Sequence, residues 1–280
     1  MDFELLFVVG NHKCGTHAIR RALQIAEVPF IPSERISVSE GLDALVQKTG
    51  RTDNKMTLVQ GHPDHFQFSG DNERDFDFVS NFFNRSKLIL PSRNPVSQAI
   101  SWLEFARTRL LEAKKFSAEP TDKIKAFRHL WSQYTNVGDR GPSEDSLQHP
   151  FSEPIENIFK WIEVIAKNRV WLWGQSYNLF FPQWHKLKEA YDNTKRLNLG
   201  IPDLVAERKV LIFDSQCYSN SALSELEAHL GKQFVEALKA TRENVSLKSL
   251  PDLSLQEAYW VEKLMREICD FDFQIYEEAI

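Results

Sequence analysis

The feature that most constrains this 280-residue chain is an apolar run near its start that ends at a glycine. Residues 5–9 are long enough for a buried strand, and after Gly10 and a short polar loop, apolar residues recur at helical spacing. A strand, a tight turn and a helix in this order direct backbone N–H groups at an anion. In the turn, Gly15 permits close approach, Thr16 offers a hydroxyl and Lys13 a positive charge. The segment predicts an anion-binding loop; the alternative is a strand-to-helix turn with incidental polar residues.

The loop departs from the usual ATP or GTP phosphate loop. That loop has a glycine, four further residues and then Gly-Lys-Ser or Gly-Lys-Thr. Gly10 and Gly15 have this separation, but Thr16 and His17 stand where the lysine and the hydroxyl residue belong. The lysine lies inside the loop, at Lys13. We therefore expect a relative of the nucleotide-binding loop without the lysine that reaches the β- and γ-phosphates.

A second strand-to-helix junction lies further along the chain. The apolar residues 87–90 lead to Arg93, and Pro95 suits the first turn of a helix, where its missing N–H costs nothing. Ser101 follows within that helix. The planar fork of Arg93 and the hydroxyl of Ser101 could converge on one phosphate. Alternatively, Arg93 makes a structural ion pair and Ser101 only packs within its helix.

Together, the two junctions resemble motifs of the sulfotransferases that use 3′-phosphoadenosine 5′-phosphosulfate (PAPS). Residues 13–16, Lys-Cys-Gly-Thr, resemble the loop that holds the 5′-phosphosulfate, and residues 93–95 with Ser101 resemble the 3′-phosphate motif. Residues 174–177 are a weaker match to the segment whose tyrosine lies near the adenine. The resemblance extends from the first strand to the strand at 209–213 and the helix after it, and it is thin between 103 and 169.

The resemblance implies an α/β fold, with a central parallel β-sheet flanked by helices, of the P-loop NTPase-like sulfotransferase type. A helical portion would lie on the acceptor side, and residues 1–280 would form a single domain. PAPS would donate its sulfuryl group to a hydroxyl, or less readily an amine, of a small-molecule, sugar or lipid acceptor, leaving 3′-phosphoadenosine 5′-phosphate (PAP). The residues implied to bind the cofactor are Asn11, His12, Lys13, Cys14, Gly15, Thr16, His17, Arg93, Ser101, Tyr177 and Arg242.

Sulfuryl transfer needs a cation beside the leaving phosphate and a base beside the attacking group. Lys13 fits the first role, and two residues compete for the second. His62 follows a predicted strand and resembles the histidine base of cytosolic sulfotransferases, whereas Glu34 lies near the catalytic glutamate of the carbohydrate branch. Their ordinary alternatives are a turn histidine and a solvated carboxylate. No metal is expected, because the pair His62 and His65 has a proline between its members and no further ligands are evident.

The sequence departs from the sulfotransferase pattern at several points. His17 replaces the second threonine of a Gly-Thr-Thr loop. Asp214 and Ser215 follow the last predicted strand where the family has a Glu-Asp pair, so the local hydrogen bonding must differ. The late basic loop that closes over the 3′-phosphate is not evident, and Arg242 is the nearest candidate for that role.

The charge and cysteine content of the chain limit the classes of partner that it is expected to bind. The net charge of −5 argues against a general nucleic-acid or anionic-membrane binder, so the basic residues of interest are local. These are Lys13, Arg20, Arg21, Arg85, Lys87 and Arg93. Three cysteines do not suggest a disulfide framework. The acidic N-terminus is unlike a signal peptide, and no apolar stretch is long enough to span a bilayer, so we expect no integral membrane association and a cytoplasmic location.

Strands alternate with helices in the pattern, which favours a parallel sheet whose ligands bind at the carboxyl ends of the strands. The predicted strands lie near 4–9, 56–60, 87–90 and 209–213. The predicted helices begin near 15, 41, 74 and 95, and others cover 122–134, 153–166, 182–191, 222–230 and 254–268. The apolar wall of an acceptor pocket would draw on Trp102, Phe105, Phe116, Trp131 and Tyr134, although helix core is the favoured interpretation for most of them.

Two rival functions remain open on the sequence. The first is a P-loop kinase acting on a small molecule, which would need Mg²⁺ and a triphosphate. The second is a non-catalytic nucleotide-binding protein that shares the fold. It would bind PAP without turning over any acceptor, and its function would not depend on His62 or Glu34.

Overall fold

The computed structural model describes most of the N-terminal third of the chain and several later segments. The described residues are 4–9, 13–48, 56–61, 65–116, 125, 128–129, 131–132, 154–167, 210–241, 253–277 and 280. The chain divides into two compact units, the first comprising 1–93, 175–245 and 274–280, and the second 94–174 and 246–273. The single domain over 1–280 stays a prediction.

A five-stranded parallel sheet forms the centre of the first unit. Its strands are β1 Leu5–Val9, β2 Ile31–Pro32, β3 Thr57–Gly61, β4 Ser86–Ser92 and β5 Val210–Asp214, in the order β2-β3-β1-β4-β5. The α-helices of the described residues, in both units, are α1 Thr16–Ile25, α2 Leu42–Lys48, α3 Asn72–Asn84, α4 Pro95–Phe116, α5 Pro154–Lys167, α6 Asn220–Leu230, α7 Lys232–Thr241 and α8 Leu255–Glu277. The coarse prediction of an α/β fold with a central parallel sheet is therefore confirmed.

Both faces of this sheet are covered, which explains why its strands are nearly continuous apolar runs. On one face Leu6, Val8 and Ile89 pack with the apolar stripe of α1 and with residues of α6 and α7. On the other face an aromatic cluster forms around Phe7, whose ring lies 5.0 Å from that of Phe82 and 5.9 Å from that of Phe66. The burial of β1 between these two layers fixes the position of the loop that follows it.

The predicted elements are recovered with small shifts of their ends, and three features differ. β2 was not predicted, because two residues at a sheet edge are too short for any period to show. α7 was not predicted, since the predicted helix over 222–230 ended before Gly231 and no further helix was placed directly after it. α8 continues to Glu277, beyond the predicted end. The predicted helix at 182–191 and most of the one at 122–134 lie outside the described residues.

The order of the strands places a topological switch beside β1. From β1 the chain moves to β2 and β3 on one side, whereas β4 pairs with the other side of β1 and leads towards β5. In open α/β sheets, ligands bind at the carboxyl ends of the strands where the direction reverses. The loops that follow β1 and β4 are therefore the expected ligand-binding loops of this sheet.

The second unit is helical in its described part and has its own core. Asn94 caps α4, because its side-chain oxygen accepts hydrogen bonds from the backbone N–H groups of Val96 and Ser97 at 3.0 and 3.2 Å. Trp131 is 1 % exposed and packs in the helical core, against which Phe105 also lies. Both aromatic residues therefore belong to the helix core, as the favoured interpretation predicted. The side chains of residues 102, 116 and 134 are not among those described.

Within the described residues, no helix combines the length and the apolar character that a membrane crossing requires.

Candidate functional site

The loop after β1 has an unusual backbone. Lys13 has φ +69° and Gly15 has φ +83°, so two of three consecutive residues adopt the left-handed region. This region is rare for residues other than glycine, and such residues concentrate at functional sites. Cys14 between them is 2 % exposed, so its side chain is buried beneath the turn. The conformation is that of a tightly folded turn leading directly into α1.

Two independent features favour glycine at position 15. Its φ is costly for any residue with a side chain. In addition, a Cβ atom at Gly15 would lie 3.2 Å from the Cβ of Ser215, which follows β5. The backbone N–H of Ser215 donates to the carbonyl of Ser92 at 2.8 Å and so extends the pairing of β4 with β5. The loop after β1 is thus packed against the ends of the neighbouring strands.

The N-terminus of α1 keeps the electrostatic character of an anion site. Gly15 is its N-cap and makes no side-chain capping hydrogen bond, and no acidic residue lies in the first turn. Thr16, the first helical residue, is 6 % exposed, and His17 beside it is exposed. The positive end of the helix dipole is therefore not neutralised by an acid of its own first turn.

Arg93 links the second junction to the first. Its Nη1 donates a hydrogen bond to the backbone carbonyl of Lys13 at 3.3 Å. Its Nε is buried and has no hydrogen-bond partner among the described residues. Burial lowers the pKa of Arg93, while the Cys14 sulfur and the Asp214 carboxylate act in the opposite direction. A buried N–H group without a partner costs about 1–3 kcal/mol, so a half-buried guanidinium of this kind fits an anionic ligand.

Asp214 is the buried acid of the site and is 5 % exposed at the end of β5. Its Oδ1 accepts a hydrogen bond from the backbone N–H of Gln216 at 2.7 Å, and its Oδ2 lies 3.4 Å from the hydroxyl of Tyr276. Asp214 stood out in the sequence as a departure from the family pattern, but its proximity to Arg93 was not predicted. The signal was present in the strand order, since β4 and β5 end side by side at Ser92 and Asp214.

A hydrogen-bonded network connects Glu34 to the start of α1. Arg20 Nη1 and Nη2 donate to the two carboxylate oxygens of Glu34, each at 3.1 Å. Arg20 Nε donates to the side-chain oxygen of Gln60 at 2.6 Å, and Gln60 Nε2 donates to the carbonyl of Thr16 at 3.3 Å. Gln60 was not predicted as a site residue, because a single polar residue in a strand carries no signal of its own.

This network bears on Glu34 as a candidate base. Burial acts to raise the pKa of Glu34, but the hydrogen bonds from Arg20 and the backbone, and the electrostatic effects of Arg20 and His65, outweigh it and leave the pKa lowered. A general base works best when its pKa lies near the working pH. A carboxylate held ionised by a bidentate arginine is a weaker base than an unpaired one. His62, the other candidate, lies outside the described residues.

Of the remaining predicted site residues, one lies among the described residues and four lie outside them. Ser101 lies in α4, in the second unit, and is 2 % exposed. Asn11, His12, Tyr177 and Arg242 lie outside the described residues, so their predicted contacts with the cofactor stay predictions.

Two of the local basic residues have other partners. Arg85 precedes β4 at the amino end of the sheet, where it pairs with Glu4 and, at 2.7 Å, with Asp43. Lys87 pairs with Glu225 at 2.9 Å. Neither residue was predicted to bind the cofactor, and both lie away from the carboxyl ends of the strands, where Lys13 and Arg93 are found. Sequence charge alone could not distinguish the two edges.

Among the residues that the structure describes, no cluster of three or more His, Cys, Asp or Glu side chains could hold a metal ion. The metal-free reaction stays a prediction.

Comparisons of this chain with protein-family models, curated proteins and solved structures gave no significant match. The resemblance to sulfotransferases therefore rests on the sequence motifs at 13–16, 93–101 and, more weakly, 174–177.

Proposed function

We propose that this chain is a PAPS-dependent sulfotransferase with the P-loop-like fold of that family. One observation carries the proposal. Arg93, at the exit of β4, reaches the backbone of Lys13 in the loop after β1 and has a buried Nε without a partner among the described residues. The two motifs that suggested the family are thus joined in space, at the edge of the sheet where such folds bind nucleotides.

The two junctions would divide the cofactor between them. The turn at 13–17 and the N-terminus of α1 would hold the 5′-phosphosulfate through backbone N–H groups. Arg93 would bind the 3′-phosphate through its guanidinium, whose planar donors match phosphate oxygens. Asn11, His12, Ser101, Tyr177 and Arg242 are assigned to the cofactor by the resemblance alone.

When bound, PAPS supplies the sulfuryl group, whose bond to the phosphate oxygen breaks as a bond to the acceptor oxygen forms. The ammonium group of Lys13 would stabilise the negative charge that develops on the leaving phosphate. A base would remove the proton of the acceptor hydroxyl. The pairing of Glu34 with Arg20 favours His62 over Glu34 for this role. We propose that the acceptor is a small molecule, a sugar or a lipid. We do not propose nucleic acid as a partner, and we propose a cytoplasmic location.

Calorimetric titration of the purified protein with PAP, AMP and Mg-ATP tests this function. We expect PAP to bind without metal and AMP to bind more weakly, because AMP lacks the 3′-phosphate. A preference for Mg-ATP would favour the kinase. Tight PAP binding without sulfation of any acceptor in a PAPS-driven screen would favour the non-catalytic protein. If none of the three nucleotides bound, the proposal would be wrong.

A further inference from the structure

We propose that Gln60 and Arg20 are positioning residues that fix the start of α1 and, through it, the anion-binding turn. The inference concerns two residues that the resemblance assigns neither to cofactor binding nor to catalysis. It rests on the proposed function for the identity of the ligand, but the hydrogen bonds that carry it belong to the fold itself.

Gln60 is placed to connect the sheet with the helix. It is 2 % exposed near the end of β3 and pairs in register with Val8 of β1, the strand that leads into the turn. Burying an amide without partners is costly. Here the side chain donates to the carbonyl of Thr16 and accepts from Arg20 Nε, so both of its ends are engaged.

The two groups that Gln60 contacts lie on one face of α1. Thr16 and Arg20 are four residues apart, so they occupy consecutive turns of the same helix face. One side chain of β3 therefore holds two successive turns, and the N–H groups of the first turn are those that would bind the anion under the proposed function. Rotation or sliding of α1 would break both hydrogen bonds.

Arg20 is itself held from a second direction. The carboxylate of Glu34 accepts hydrogen bonds from both terminal nitrogens of Arg20. The backbone carbonyl of Glu34 accepts a hydrogen bond from Gln67 Nε2 at 2.9 Å. The short helical turn that carries Glu34 begins at Ser33 and packs closely on the end of β3. A Cβ atom at Gly61 would lie 2.8 Å from the Cβ of Ser33. The anchor of Arg20 thus belongs to the same rigid part of the first unit as Gln60.

The position of α1 matters because hydrogen-bond strength falls steeply with misalignment. A binding turn needs its donors held to within a fraction of an ångström, by side chains that are themselves held in place. If Gln60 and Arg20 supply this support, their loss weakens recognition of the 5′-phosphate, which is common to PAP and AMP. Loss of Arg93, in contrast, should weaken binding of the nucleotide that carries a 3′-phosphate much more than binding of AMP.

Gln60→Leu tests this difference, because it removes both hydrogen bonds at similar volume. We expect the affinities for PAP and AMP to fall together, each by about tenfold. Thr57→Val is the matched control, a buried polar residue at the other end of the same strand. It should leave both affinities within about threefold of the original protein. Arg20→Lys, a milder change in case Gln60→Leu does not fold, should lower both affinities in the same ratio.

Unchanged affinities in folded Gln60→Leu and Arg20→Lys proteins would overturn the inference, as would a loss confined to PAP. If the original protein bound neither nucleotide, the proposed function would fail and amide hydrogen exchange would decide the structural claim. Exchange over residues 19–23 of α1 should then be faster in Gln60→Leu than in Thr57→Val. Equal exchange rates would overturn the inference in that case.

Discussion

The Nη1 of Arg93 donates a hydrogen bond to the carbonyl oxygen of Lys13 at 3.3 Å, across a separation of 80 residues in the chain. This contact joins the loop after β1 to the exit of β4. The contact uses the backbone carbonyl of Lys13, so it does not depend on which side chain stands at position 13. Arg93 therefore contributes both to the shape of the turn and to the positive charge beside it.

Replacing Arg93 with alanine should weaken PAP binding much more than AMP binding. The lost interaction is a charge-assisted hydrogen bond to the 3′-phosphate, so we expect PAP affinity to fall by about tenfold to a hundredfold. The matched control is Arg85→Ala, which removes an arginine of the opposite sheet edge and should leave the affinities for both nucleotides unchanged. Calorimetry of both variants measures the difference. Equal losses for PAP and AMP in Arg93→Ala would argue against a 3′-phosphate role.

Replacing Lys13 with alanine should reduce turnover more than PAP affinity, because the ammonium group is proposed to act on charge that develops during the reaction. Steady-state kinetics with PAPS and PAP calorimetry separate the two effects. If only affinity fell, the role at the leaving group would be wrong.

A comparison at the same position separates strain from charge. Lys13 has φ +69°, so Lys13→Gly should be more stable to denaturant than Lys13→Ala, by about 1 kcal/mol. Both variants lack the ammonium group and should have equally low turnover. A glycine variant that recovered turnover would show that backbone geometry, rather than charge, was the important property of this residue.

Gly15→Ala should destabilise the protein and impair nucleotide binding. The added Cβ atom meets the Cβ of Ser215 at 3.2 Å, and φ +83° is unfavourable for alanine, so we expect a loss of about 1–3 kcal/mol in the free energy of unfolding. Adding Ser215→Gly removes the close contact but not the unfavourable φ, and it should recover only part of the loss. Denaturant unfolding measures both variants, and complete recovery would mean that the backbone conformation costs nothing.

The lowered pKa of Glu34 makes a prediction about acid stability. The carboxylate has a lower pKa in the folded protein than its ordinary value of 4.5, so the unfolded chain takes up the proton first as the pH falls. The stabilisation by Glu34 is therefore complete above pH 4.5 and is lost as the pH falls through the folded pKa. Glu34→Gln should lose stability at neutral pH and show a smaller further loss in acid. Unfolding measured from neutral to acidic pH tests this, and parallel curves for the two proteins would contradict it.

The pH dependence of turnover distinguishes the two candidate bases. If His62 is the base, kcat/KM should decline as the pH falls below about 6.5, where a histidine becomes protonated. If Glu34 is the base, its lowered pKa moves that decline below pH 4.5. If His62 is the base, Glu34→Gln should keep the near-neutral profile at a lower rate. If Glu34 is the base, Glu34→Gln should abolish turnover. A near-neutral decline that remained in His62→Gln would exclude His62 as its source.

The parts of the fold that were predicted correctly are those with local signals. β1 is an apolar run before a loop that contains glycine, and Pro95 marks the start of α4, so both junctions could be located without knowledge of their neighbours. β2 could not be predicted, because its two residues become a strand only by pairing with Val59 and Gln60 of β3.

The site was harder to predict because its contacts are not local. The motifs identified Lys13 and Arg93, but the Arg20 pairing with Glu34 and Gln60 depends on how α1 and β3 pack. Arg85 illustrates the same limit, because its charge in the sequence is equivalent to that of Arg93 and only the direction of β4 places the two at opposite edges.

The Tyr276 hydroxyl, 3.4 Å from Asp214, lies in the last turn of α8. Removal of the final residues of this helix would therefore withdraw a hydrogen-bond donor from a buried carboxylate that lies near Arg93. A truncation distant in sequence from both motifs would change the electrostatic surroundings of the arginine. In studies of shortened or C-terminally fused forms of the chain, a change in nucleotide affinity would then report on this buried acid rather than on the binding loops themselves.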